Sequence, residues 1–182
     1  MLRSLSPAGA KFIQGLEELC LFAYPDPASD LAKASQSVRR RWGHEPAPEI
    51  LQSLPEDVRA LDGAPWTIGY GHTGGVRMNQ AVTEQEAARL LTTDVSTVEV
   101  AVNALGLDLT QNQFDALVSA GLSLGTGVFQ SHRSLGQALR GIGGLSVPEA
   151  LALYDHAGPH RVPGLTRRRA AEGRLWATPD GE

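Results

Sequence analysis

The chain has 182 residues, of which 42% are hydrophobic and 20% charged. That is enough to bury a core in a single domain, 1–182, of two lobes, and no stretch is polar enough to stay disordered. One cysteine, Cys20, excludes an internal disulfide framework. A formal net charge of −4 gives no general reason to expect nucleic acid or an anionic membrane as partner. No run of about 18 apolar residues is present, so no membrane insertion is expected. The first residues lack an apolar export core and a small-residue cleavage site, so synthesis in the cytoplasm without a signal peptide is expected.

In chain order, Ser6-Pro7 reads as an N-cap followed by proline at the first helical position. Phe12, Ile13, Leu16, Leu19 and Cys20 then recur at helical spacing. A β-prone run from Leu21 to Tyr24 stops at Pro25-Asp26-Pro27, which is turn chemistry. Residues 28–64 change character, being rich in Ala, Pro, Arg and acids. Trp66-Thr67-Ile68-Gly69-Tyr70-Gly71 reads as a short strand ending in a glycine turn. Thr83 to Glu86 is a capping box that opens a long helix running to about Leu105. Thr110 with Gln113, and Ser146 with Glu149, repeat that signal, and glycine clusters at 125–127 and 141–144 separate the later helices. One helix, a small sheet, a long helix and a helical bundle make an α+β fold with segregated elements.

Two carboxyls suggest chemistry. Eight residues lie between Glu17 and Asp26, including a helix end and a short strand. A helix C-terminus disfavours negative charge, and the apolar neighbours Ile13, Leu16 and Cys20 add desolvation, so position 17 suits an acid that keeps its proton. Asp26 sits in a turn whose free N–H groups suit a carboxylate. An acid for a leaving oxygen and a base for water is what glycoside hydrolysis requires. Two acids in a protein are more often solvated surface groups, however, and spacing alone does not decide. Glu18 is the internal control, because about 100° of helical rotation should turn it elsewhere.

The string from Glu17 to Asp26, followed by Trp66-Thr67-Ile68-Gly69-Tyr70-Gly71-His72-Thr73, resembles the phage-type lysozymes (glycoside hydrolase family 24). The similarity continues through residues 110–131, which resemble that family's central core helix, and 162–175, which resemble its arginine-rich C-terminal helix. Glu18 stands where the family commonly has glycine, and residues 121–124 are Gly-Leu-Ser-Leu where aromatic and Asn residues are frequent. The resemblance implies a lysozyme-like fold: a small N-terminal lobe with a short antiparallel sheet, a larger helical C-terminal lobe, and a long helix joining them beside a cleft. It also implies a catalytic triad of Glu17, Asp26 and Thr67. An arginine of the last helix, assigned to Arg167 among Arg167 to Arg169, would pair with Glu17. His72 would be a structural partner of Asp94 rather than a base.

The expected activity is hydrolysis of the β-1,4 bond between N-acetylmuramic acid and N-acetylglucosamine in peptidoglycan glycan strands, with inversion and bacterial lysis. A monomer without cofactor or metal is expected, released to the cell wall by a route the residues do not show. A lytic transglycosylase and a non-catalytic peptidoglycan-binding module are the rival readings. His156 and His160 lack a third ligand, which argues against a metal site. Gly69-x-Gly71-x-x-Gly74 fits a dinucleotide fingerprint in letters only, since no helix comes after it.

Residues 28–64 lie outside the resemblance. Because Asp26 and Thr67 must reach one water, the segment reads as a helical insertion within the small lobe whose ends lie close together. Leu31, Val38 and Trp42 fit one helix face, and Ile50-Leu51-Leu54 and Val58-Leu61 two shorter ones, with Ser29 or Asp30 as a cap. It either buries only its own apolar residues or also walls the cleft, bringing Arg39, Arg40 or Arg41 to substrate carboxylates.

Overall fold

The computed structural model describes residues 2–181. Their contacts divide them into two units, one of Glu17–Asp94 and the other of the residues before and after that stretch.

The Glu17–Asp94 unit is built on β1 (Cys20–Pro25) and β2 (Trp66–Gly69), an antiparallel pair. Tyr24 stands opposite Thr67, Pro25 opposite Trp66, and Cys20 opposite Gly69, with an irregularity between Cys20 and Tyr24. The helical spacing extended to Cys20 in the sequence, but α1 (Pro7–Leu16) stops earlier and Cys20 is the buried first residue of β1. Strand pairing takes over from helical periodicity here. Residues 80–82 extend the ladder: Ala23 N–H donates to the Gln80 carbonyl, and Val82 N–H to that of Leu21, both at 2.9 Å.

Between the strands, residues 28–64 form α2 (Asp30–Ala34), a 3-10 turn (Gln36–Val38), α3 (Ala47–Gln52) and α4 (Glu56–Arg59). Ser29 caps α2 by accepting from Ala32 N–H at 3.1 Å. Pro46 and Pro55 immediately precede α3 and α4, where a fixed φ and a missing donor cost nothing. Leu31, Trp42, Ala47, Ile50 and Leu54 form a buried cluster, with Tyr24, Trp66 and Met78 packed against it. Trp42 and Trp66 meet edge to face with centroids 6.0 Å apart, and the Trp42 indole N–H donates to buried Ser35 at 3.1 Å. The segment is closed at its base. Asp26 N–H lies 3.2 Å from the Gly63 carbonyl and 2.9 Å from that of Pro65, while Leu31 N–H donates to Asp62. Midway along, Gly43 accepts from Phe22 N–H of β1 at 3.1 Å. Its φ of 84° and its approach to Cys20, whose Sγ would lie 2.5 Å from any Cβ, both require glycine.

Helix α5 (Glu84–Asn103) begins at a capping box: Glu86 N–H donates to Thr83 Oγ1 and Thr83 N–H to the Glu86 carboxylate. Its residues up to Asp94 belong to this unit and the remainder to the other.

The second unit is helical. It holds α1, α6 (Gln111–Leu124), α7 (Ser134–Ala138), α8 (Val147–Ala152) and α9 (Pro163–Ala177), with a hairpin of β3 (His156–Ala157) and β4 (His160–Arg161). Helix α6 packs on α9 and α1, and α8 on α9. Capping boxes start α6 at Thr110 and α8 at Ser146. Ser6 caps α1 by accepting from Gly9 N–H and donates its own hydroxyl to buried Asp115. Phe114, Leu117, Leu135 and Leu151 are fully buried. No described helix is long and apolar enough to cross a membrane.

Inside this unit lies a charged cluster. Glu172, fully buried, accepts from Ser119 Oγ at 2.7 Å, Arg169 at 3.1 Å and Arg168 at 3.2 Å. Burial pushes its carboxyl above the ordinary range, while Arg169, Ser119 and Arg168 pull it back down. The hydrogen bonds are what make the burial tolerable.

Gly121 lets α6 come this close to its neighbours. A Cβ there would meet Val98 Cγ1 at 2.5 Å and the Phe129 ring at 2.9 Å. Gly121→Ala should therefore destabilise the chain by about 1–3 kcal/mol through overpacking. A chemical denaturation curve checks this, with the midpoint falling.

Candidate active site

Glu17 comes directly after the last residue of α1 and is half-buried, whereas Glu18 is exposed. Glu17 opens onto a cleft of about 450 Å³. Tyr24 lines the same cleft, as do Pro25 and Pro27 on either side of Asp26. Opposite residues of an antiparallel pair share a face, and so do alternate residues of a strand. Thr67, opposite Tyr24 and 7% exposed, therefore lies on the face from which Tyr24 projects. Asp26, two residues on from Tyr24, sits at the strand end. Asp26 Oδ1 accepts from Ala28 N–H at 2.7 Å, so its own turn holds the carboxylate in place.

Tyr24 is the residue the sequence reading missed. Burial and the nearby Cys20 and Glu17 push its phenol up to about 12, against the opposing pull of the Thr67 hydroxyl. Tyr24 thus keeps its proton at any physiological pH, with the Glu17 carboxyl and the Thr67 hydroxyl both in its surroundings. The signal was available: Tyr24 alternates with Asp26. Cys20, also on the cleft, is pushed up to about 11, first by burial and then by Glu18, and stays a neutral thiol.

Glu18 was expected to face elsewhere. It borders the cleft as well, because the helix ends at Leu16 and helical rotation does not govern the residues beyond it. Its Oε1 lies 3.0 Å from His44 Nε2 of the inserted segment.

His72 Nδ1 lies 2.8 Å from Asp94 Oδ1, and Nε2 lies 2.9 Å from the Gly74 carbonyl. Both ring nitrogens face acceptors, so none is aimed at a substrate. The ring ties the turn after β2 to α5. In α9, Arg167 is exposed, Arg168 half-buried and Arg169 buried; the last two engage Glu172. His156 Nδ1 stands 2.6 Å from buried Asp155 Oδ1, and Arg161 and Thr166 both reach Oδ2, so this histidine serves the hairpin.

The sequence profile of the family described as phage lysozyme matches residues 54–172. The chain belongs to the phage lysozyme family. The endolysin of Bacillus phage PZA is 39% identical over 113 residues, which cover 61% of this chain and 43% of that protein. The chain thus matches less than half the length of its Bacillus phage relatives. Among solved structures, the muramidase domain of SpmX from Asticcacaulis excentricus superposes with a TM-score of 0.71 at 30% identity, covering 97% of this chain and 99% of that one. The endolysin of Escherichia coli O157:H7 phage FAHEc1 superposes at 0.67 and 26% identity, with 96% and 93% covered. These neighbours share the lysozyme-like mixture of helices and a small antiparallel sheet.

His72→Asn should lower stability by about 1.5–3 kcal/mol, the range for a hydrogen bond to a charged group. The expected outcome is a reduced melting temperature, with any bacteriolytic activity largely unchanged below it. A lytic rate lost at unchanged melting temperature would make His72 catalytic instead.

Proposed function

We propose that this protein is a lysozyme of the endolysin type. It hydrolyses the β-1,4 bond from N-acetylmuramic acid to N-acetylglucosamine in bacterial peptidoglycan, by single displacement, as a monomer without cofactor. Family membership supports glycosidase chemistry. The observation that carries the assignment of residues is the cleft shared by Glu17, Tyr24 and the two prolines around Asp26, with Thr67 across the strand pair. The family profile begins at residue 54, so the roles of Glu17 and Asp26 rest on their motif and on this geometry.

Glu17 is the general acid. Its carboxyl proton passes to the glycosidic oxygen as the bond to C1 of the muramic acid breaks. Asp26 takes a proton from water as that water attacks C1 from the opposite face of the ring, and Thr67 holds the water. Both carboxyls end the step with their protonation exchanged, and C1 inverts. The mechanism needs room for the water, which in inverting glycosidases means carboxyls about 6.5–9.5 Å apart. Tyr24, protonated and beside Thr67, helps to fix that hydroxyl.

A turbidity assay on outer-membrane-stripped bacteria tests the assignment. Glu17→Gln and Asp26→Asn should each slow lysis by about 10²-fold or more, the usual worth of general acid–base help. Thr67→Ala should cost less, because it removes a positioning contact. Glu18→Gln should retain most of the activity, and equal losses at 17 and 18 would remove Glu17 as the acid.

A further inference from the structure

Residues 28–64 bury their own core, yet they also face the cleft. Ala32, Gln36, Arg39 and Trp42 line the same cleft as Glu17. A second, adjoining hollow shares Glu18, Arg39 and Trp42 and adds Arg40 and His44.

The three consecutive arginines of this segment are not equivalent. Arg41 is spent on structure: its Nε and one terminal nitrogen lie 2.9 Å and 2.7 Å from Glu45 Oε2, and the other terminal nitrogen donates to Ser53 at 2.9 Å. Arg39 and Arg40 are exposed and have no carboxylate partner among the described residues. Of these two arginines, Arg39 borders both hollows and Arg40 the second. The backbone that carries Arg39 is well held. Its backbone N–H closes the 3-10 turn on Gln36, and Trp42, three residues on, is seated in the buried cluster. The Glu18–His44 contact fastens the far side of the same segment next to Glu17.

Peptidoglycan offers a matching group. Each muramic acid carries a peptide stem through its lactyl ether, and stems bear free carboxylates; the bare glycan backbone, with its lactyl carboxyls capped as amides, bears none. Guanidinium binds carboxylate in a planar fork, so an arginine at this position reads the stem rather than the sugar. We propose that Arg39 is a specificity-determining residue that binds a stem-peptide carboxylate on the muramic acid seated beside Glu17. This rests on the reading of the cleft as a peptidoglycan site.

Binding by the full chain separates the two ideas. The probes are soluble glycan chains with intact stems and the same chains whose stems are reduced to the lactyl amide. The native protein should bind stem-bearing chains about threefold or more tightly at low salt, the size of effect that an exposed ion pair supports. Arg39→Gln should bring that ratio close to one, and Arg39→Lys should restore part of it. Arg59→Gln, which removes a charge from α4 away from the cleft, should keep the ratio intact. A preserved ratio in Arg39→Gln, or equal binding of both chains by the native protein, overturns the proposal while leaving the lysozyme reading standing. Failure of the native protein to bind either chain sinks both.

Discussion

The pairing of Tyr24 with Thr67 is the constraint on which the candidate site depends. Because side chains alternate along a strand, a slip of one residue would send Thr67 to the opposite face and part it from Tyr24. The register is held from several directions. Cys20 meets Gly69 at one end and Pro25 meets Trp66 at the other, while residues 80–82 bond along the outer side of β1. A two-stranded sheet is marginal by itself. Here the cluster around Trp42 and Ile50 packs against Tyr24 and Trp66, and so stabilises the strand pair through the very residues that set its register.

The inserted segment obeys the same constraint. Its length is tolerable because closure entropy grows slowly with loop size, and the two carbonyls that meet Asp26 N–H close it where the strands require. The backbone that ends the excursion thereby also fixes the aspartate's own position. Arg39 and Trp42 reach the cleft as a by-product of a segment anchored at its base, at Gly43 and through its core.

Much of this was legible from residue order. Capping chemistry marked the starts of α1, α5, α6 and α8, because these signals are local. What depended on tertiary contact was not. The end of α1 at Leu16 overrides a periodicity that continues to Cys20, and this displacement puts Glu18 on the cleft. Leu31, Val38 and Trp42 read as one helix face but occupy a short helix, a 3-10 turn and the stretch after it, since each needs only to reach the shared cluster. In α9 the arginine triplet was visible, but Glu172, which Arg169 and Arg168 contact, lies three and four residues further on. Attention to that helical spacing would have shown which arginines turn inward.

The central claim is that water cuts the glycan with Glu17 and Asp26 as acid and base. Digestion of purified cell-wall sacculi in water enriched in heavy oxygen, with mass spectrometry of the released fragments, tests it most directly. The account predicts new reducing ends on N-acetylmuramic acid, each carrying one heavy oxygen. Fragments ending in 1,6-anhydro-muramic acid, with no heavy oxygen incorporated, would contradict it, as would sacculi that bind the protein and remain uncut.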